Sequence, residues 1–185
     1  LVLAGGPFAP GVVPPPVEAA EWPVIAMTAR DQGLAPLLYK ALQKAERLAV
    51  TPPAIVAALR AAYLDTGVAN WLALEQLTGL LAIFERERIP VILLKGCALV
   101  STIYGDASLR PMTDLDILVH RTDAKQARDL LIERGFLPRP DLEPGFSLRF
   151  CHEEAFESTV RPRLRVDLHT HLLGNPYWLQ RIDID

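Results

Sequence analysis

The chain lacks the marks of several protein classes. Across 185 residues no unbroken apolar run approaches the eighteen or so residues that a membrane span needs, so no membrane partner is expected. There is no surplus of basic charge: 19 Lys and Arg stand against 22 Asp and Glu, a formal net charge of −3. A strong grip on nucleic acid regardless of sequence would need the opposite balance, so any such contact must come from a local patch. Cysteine is scarce. Cys97 and Cys151 lie far apart, no second pair completes a zinc site, and both read as reduced thiols of a cytoplasmic protein. The first ten residues carry no basic segment of a secretory signal and do not begin with Met, which reads as a processed, trimmed or mid-protein start. What is present is ordinary globular composition, 50% apolar and 22% charged, enough for one domain or one domain with a helical extension.

Residues 1–16, with Gly5-Gly6-Pro7 and Pro14-Pro15-Pro16, predict an extended arm. Residues 17–88 predict a helical region. Its first part, to about Leu48, is interrupted by Pro23, Gly33 and Pro36 and should give two or three short helices. Thr51 before Pro52-Pro53 predicts an N-cap with proline at the first helical position. From Ala54 to Arg88 no proline occurs, and Trp71, Leu74, Leu77, Leu81 and Phe84 recur at helical spacing as a core stripe, with Gly67 a possible break.

Residues 89–185 change texture. Val91–Leu94 reads as a buried strand, followed by Lys95-Gly96 and a helix from about Cys97 to Tyr104. Asp114–Val119 alternates as a strand, and Asp123–Arg134 is an amphipathic helix closed by Gly135. Further strands are expected near Phe136, at Leu148–Phe156 and at Arg163–His169.

The chemistry lies in three places. On a strand Asp114 and Asp116 share one face while Leu115, Ile117 and Val119 face the core, placing the acids roughly 6 to 7 Å apart. Two carboxylates so placed turn onto one metal or onto two neighbouring ones, the arrangement used in phosphoryl displacement. Upstream, a strand runs through Lys95-Gly96 into a helix whose free N–H groups suit a triphosphate, with Gly96 for close approach and Lys95 for charge. Downstream, Leu164, Val166 and Leu168 share one face, and Arg163, Arg165, Asp167 and His169 the other. Asp167 can then hold metal while the arginines meet phosphate oxygens, or the arginines simply pair with it. Arg110, four residues before the acid pair, is a candidate phosphate contact or a loop anchor.

The run from Leu93 through Lys95-Gly96-Cys97 to Leu99, then Leu109 to Val119 with its Asp114-Leu115-Asp116, and later Val166-Asp167-Leu168-His169, resembles a bacterial family of uncharacterised nucleotidyltransferases. That family is placed in the DNA-polymerase-β-like superfamily and is related to toxin components of abortive-infection systems. The resemblance covers about residues 89–170. It implies a minimal mixed sheet flanked by helices, with the Asp pair on one strand and the third acid on its neighbour; with the N-terminal helical region read above, the fold expected is α+β. It also implies Mg²⁺ or Mn²⁺ held by Asp114, Asp116 and Asp167, an NTP as donor, and nucleotidyl transfer to a hydroxyl of RNA, protein or a small molecule. Asp167 would also help deprotonate the acceptor. Lys95-Gly96-Cys97 departs from the Gly-Ser or Gly-Gly with which many superfamily members open the phosphate helix. Because relatives continue past the third acid, the chain is expected to be a fragment or a shortened version.

Two other functions fit some of the same residues. One is an inactive nucleotide-sensing or partner-binding module of the same fold. The other is a metal-dependent hydrolase built on His152, His169 and His171, since His169-Thr170-His171 puts two imidazoles on one strand face. His169 could instead orient Asp167. Cys97, at a helix start, would have a lowered pKa, but no His lies near it in sequence to support a nucleophile.

Overall fold

The computed structural model describes residues 17–139, 153–160 and 163–172. Two helices open it, α1 (Trp22–Asp31) and α2 (Ala35–Lys44), then a short 3₁₀ turn (Leu48–Val50) and the long α3 (Pro53–Arg86). Next come β1 (Val91–Leu93), α4 (Lys95–Leu99), a π-helical turn (Val100–Tyr104), β2 (Leu115–Val119), α5 (Ala124–Glu133), β3 (Phe136–Pro138), β4 (Glu153–Ser158) and β5 (Arg165–His169). The fold is α+β, helices first and then one mixed sheet of order β1-β2-β5-β4-β3. Among the described residues only the β2–β5 pair is parallel; β1–β2, β4–β5 and β3–β4 are antiparallel. The arm expected at residues 1–16, Cys151, His152 and the start of the Leu148–Phe156 strand lie outside the described residues.

The prolines start helices rather than interrupt them. Pro23 and Pro36 sit in the first turns of α1 and α2, where a missing N–H costs nothing. Thr51 turns its hydroxyl back to the Arg47 carbonyl at 2.9 Å, so it closes the preceding turn instead of capping α3 as expected. Gly67 does not break α3, which runs unbroken for 34 residues. A Cβ there would collide with the Ser108 hydroxyl, so the glycine serves close approach of a loop. The buried line of α3 is Leu59, Asn70, Ala73, Leu77, Leu80 and Phe84, whereas Trp71, expected in the core stripe, is 61% exposed. By length and composition alone α3 is apolar enough to cross a membrane. Counting unbroken apolar runs missed this, because Arg60, Asp65 and Glu75 are scattered along it. The core helix of a soluble protein passes the same test.

The chain forms two compact units, and the division between them falls inside α3. One unit holds residues up to 71 together with 99–112. Its core is Trp22, Ala29, Ala35, Tyr39, Leu42 and Leu59. Asn70, buried on α3, ties the 105–112 loop to the helix: its amide donates to the carbonyls of Ala107 (2.6 Å) and Arg110 (2.7 Å), and its carbonyl accepts from the Met112 N–H (3.2 Å). Tyr63 donates to Asp106 at 2.8 Å in the same loop.

The other unit, residues 72–98 and 113 onward, carries the sheet. One sheet face has Leu115, Ile117, Val119, Val166, Leu168 and Phe156, all buried, with Glu154 on that side paired to Arg128 of α5 at 3.3 Å. α5 ends as expected at Gly135, whose φ of +82° and N–H to the Ile132 carbonyl close the helix.

Candidate functional site

The face of the sheet opposite α5 carries the acids, and its centre is buried. All five residues of β2 are inaccessible, and on β5 Asp167 and His169 are each only 3% exposed. Strand register brings the acids together. β2 and β5 are parallel, with Asp116 directly opposite Asp167, so the two backbones stand one strand spacing apart, about 4.8 Å. On the far side of β5, β4 places Ala155 opposite Asp167 and Glu153 opposite His169.

Each acid is held by a basic side chain. Lys95 Nζ donates to Asp116 Oδ1 at 2.6 Å, and Arg165 grips both oxygens of Asp167, Nε to Oδ1 at 2.8 Å and Nη2 to Oδ2 at 2.9 Å. His169 Nε2 meets Asp116 Oδ1 at 2.9 Å, and its Nδ1 lies 3.4 Å from Glu153 Oε2. The ring therefore serves Asp116, not Asp167. The Asp116 pair, first, holds the Lys95 ammonium above its ordinary pKa, with Glu153 and Asp114 adding to the effect; Asp167 does the same for Arg165, again with help from Asp114 and Glu153. Asp114, half-buried just before β2, thus shares the field of this cluster. Four carboxylates (Asp114, Asp116, Asp167, Glu153) face two cations (Lys95, Arg165).

Asp116 Oδ2 is buried with no hydrogen-bond partner. A bare, buried carboxylate oxygen is costly, and the cost disappears when a cation reaches it. Its chemistry, hard oxygen beside further carboxylates, suits Mg²⁺ or Mn²⁺. Among the described residues, however, no three His, Cys, Asp or Glu side chains are already gathered to hold a metal ion. Lys95 holds only Oδ1 of Asp116, whereas Arg165 holds both oxygens of Asp167, so a metal shared by the two acids must displace Arg165.

The remaining expected residues have surroundings of their own. Lys95 itself, not Gly96, takes the left-handed backbone conformation at the strand-to-helix turn, φ +45°. Gly96 is buried in α4, which starts two residues earlier than expected. Arg163 is exposed and pairs with Glu157 at 3.6 Å. Arg110 belongs to the other unit, its carbonyl bound by Asn70 and its Nε buried without a hydrogen-bond partner. β5 ends at His169, so the strand alternation that joined His171 to it stops short. Cys97 is buried, and burial above all pushes its thiol pKa up, with the Asp116 and Asp114 charges adding, against the expected lowering. Glu153 and Asn70 were not anticipated. The period-two alternation around Glu153 and a lone amide in the apolar line of α3 were their only signals.

Residues 18–185 match the family described as uncharacterised nucleotidyltransferases. The chain belongs to that family. No curated protein and no solved structure matches it. The match spans the helices and the sheet alike, and the family names no acceptor.

Proposed function

We propose that this nucleotidyltransferase-family protein is an active, metal-dependent enzyme that moves a nucleotidyl group from an NTP to a hydroxyl of RNA, protein or a small molecule. The observation that carries the reading is the Asp116–Asp167 pair on adjacent parallel strands, with one Asp116 oxygen buried and bare. The same arrangement supports placing the family in the DNA-polymerase-β-like superfamily. Asp114, Asp116 and Asp167 would hold Mg²⁺ or Mn²⁺, which supplies charge neutralisation to the phosphate oxygens and lowers the pKa of the attacking hydroxyl. Asp167 accepts the acceptor's proton as its oxygen bonds to the α-phosphorus and pyrophosphate leaves. Lys95 and Arg165, drawn off their acids, neutralise the triphosphate, with Gly96 in the first turn of α4 allowing close approach and Arg163, two residues before β5, leaving Glu157 to join them. A role for Arg110 rests on the sequence alone.

One observation favours a second reading, a nucleotide-sensing module without turnover: both buried acids are already neutralised by Lys95 and Arg165. The hydrolase reading loses its support, because His169 is committed to Asp116 and Glu153.

The test is incubation of the full-length protein with α-labelled NTPs, Mg²⁺ and cellular RNA or protein. Label transfer that falls to background in Asp116→Asn is expected. Transfer undiminished in that variant removes the proposed role, and nucleotide binding without any transfer favours the sensing module.

A further inference from the structure

The two oxygens of Asp116 have different fates. Oδ1 receives both Lys95 Nζ and His169 Nε2, while Oδ2 is buried and bare. Two donors on one oxygen fix the rotation of the carboxylate, so the bare oxygen has a single orientation. The donors are not equivalent. The Lys95 side chain is 58% exposed on a flexible stem and carries a full charge that phosphate can draw away. The His169 side chain is 4% exposed, sits on the central strand, and has Glu153 against its other nitrogen. Both ring nitrogens therefore already face carboxylates, which leaves the ring poorly placed to ligate metal itself.

We propose that His169 is a positioning residue. Its Nε2–H donates to Asp116 Oδ1 and keeps Oδ2 presented to a divalent cation, with Glu153 steadying the ring from the β4 side. Resting on the reading of Asp116 as a metal-holding group, this adds the residues that set its aim. Groups that orient a ligating side chain typically change metal affinity by about 10- to 100-fold when lost.

Mn²⁺ alone is the probe, titrated into the full-length protein and read by the spin-resonance signal of the free ion, with thermal melts confirming the fold of each variant. Asp116→Asn should lose binding. His169→Ala should weaken it by about tenfold or more, and His169→Gln, whose amide N–H can reach Oδ1, should recover affinity to within about threefold of the parent. Glu153→Gln, at a half-exposed side chain, should weaken binding about threefold. His169→Ala binding as tightly as the parent, while Asp116→Asn does not bind, overturns the positioning role alone. So does a failure of His169→Gln to recover, which would show that the ring matters only for packing. Should His169→Ala not fold, unchanged affinity in Glu153→Gln overturns the proposal. Undiminished binding in Asp116→Asn sinks the metal reading itself, and this inference with it.

Discussion

Replacing Asn70 tests whether a single buried amide holds the 105–112 loop. The residue is 1% exposed and makes three hydrogen bonds to backbone groups of Ala107, Arg110 and Met112. At about 1 kcal/mol net for each bond, Asn70→Ala should cost roughly 3 kcal/mol, a large part of the 5 to 15 kcal/mol that holds most domains. Asn70→Asp is the sharper variant. It keeps the shape, yet at neutral pH it sets an anionic oxygen against two carbonyl oxygens, at the 2.6 and 2.7 Å now spanned by donors. It should be at least as destabilised as Asn70→Ala, and should partly recover in acid, where a protonated carboxyl can donate again. Urea unfolding reads this as a lower midpoint at unchanged slope. An Asn70→Asp protein within about 0.5 kcal/mol of the parent at pH 7 would show that the amide bonds are not what secures the loop.

Three further outcomes are expected. Gly79→Ala, with nothing within 4 Å of the new Cβ, should stabilise α3 by about 1 kcal/mol, whereas Gly67→Ala should destabilise by about as much through collision with Ser108; thermal melts that rank the two the other way refute the packing argument. Burial alone would raise the Asp106 carboxyl, but the Ser108 N–H, the Tyr63 hydroxyl and the Lys40 charge bring it below its ordinary 3.8. Its contribution is therefore complete above that value and lost as pH falls through the lower folded pKa, so the stability gap between parent and Asp106→Asn should narrow in acid; a gap constant with pH contradicts this. In a Cys151→Ser background, Cys97 should resist a thiol reagent at pH 8 until the protein unfolds, and rapid native labelling would refute its burial.

Much of this was legible in the chain. Alternation along Asp114–Val119 and Arg163–His169 gave both acid strands, and the motif order gave the family, because hydrophobic periodicity and short motifs are local signals. What stayed hidden was set by register. No local pattern says that Asp116 lies opposite Asp167, that His169 turns to Asp116, or that β4 brings Glu153 to the ring. The sequence left open whether Arg165 pairs with its own strand's acid or waits for phosphate, and the pairing is what is found. Trp71 misled for the opposite reason: helical spacing marks a stripe but not which neighbouring stripe meets the core, and the buried line runs one residue to the side, through Asn70.

The order β1-β2-β5-β4-β3 puts the last described strand in the middle. Until β5 arrives, β1–β2 and β3–β4 are two separate ribbons with no shared ladder, and Asp116 must wait for a side chain 53 positions later to complete its surroundings. Closing that span is entropically slow compared with forming the ribbons. Closing the sheet with β5 therefore brings Asp167, Arg165 and His169 to Asp116 in a single step.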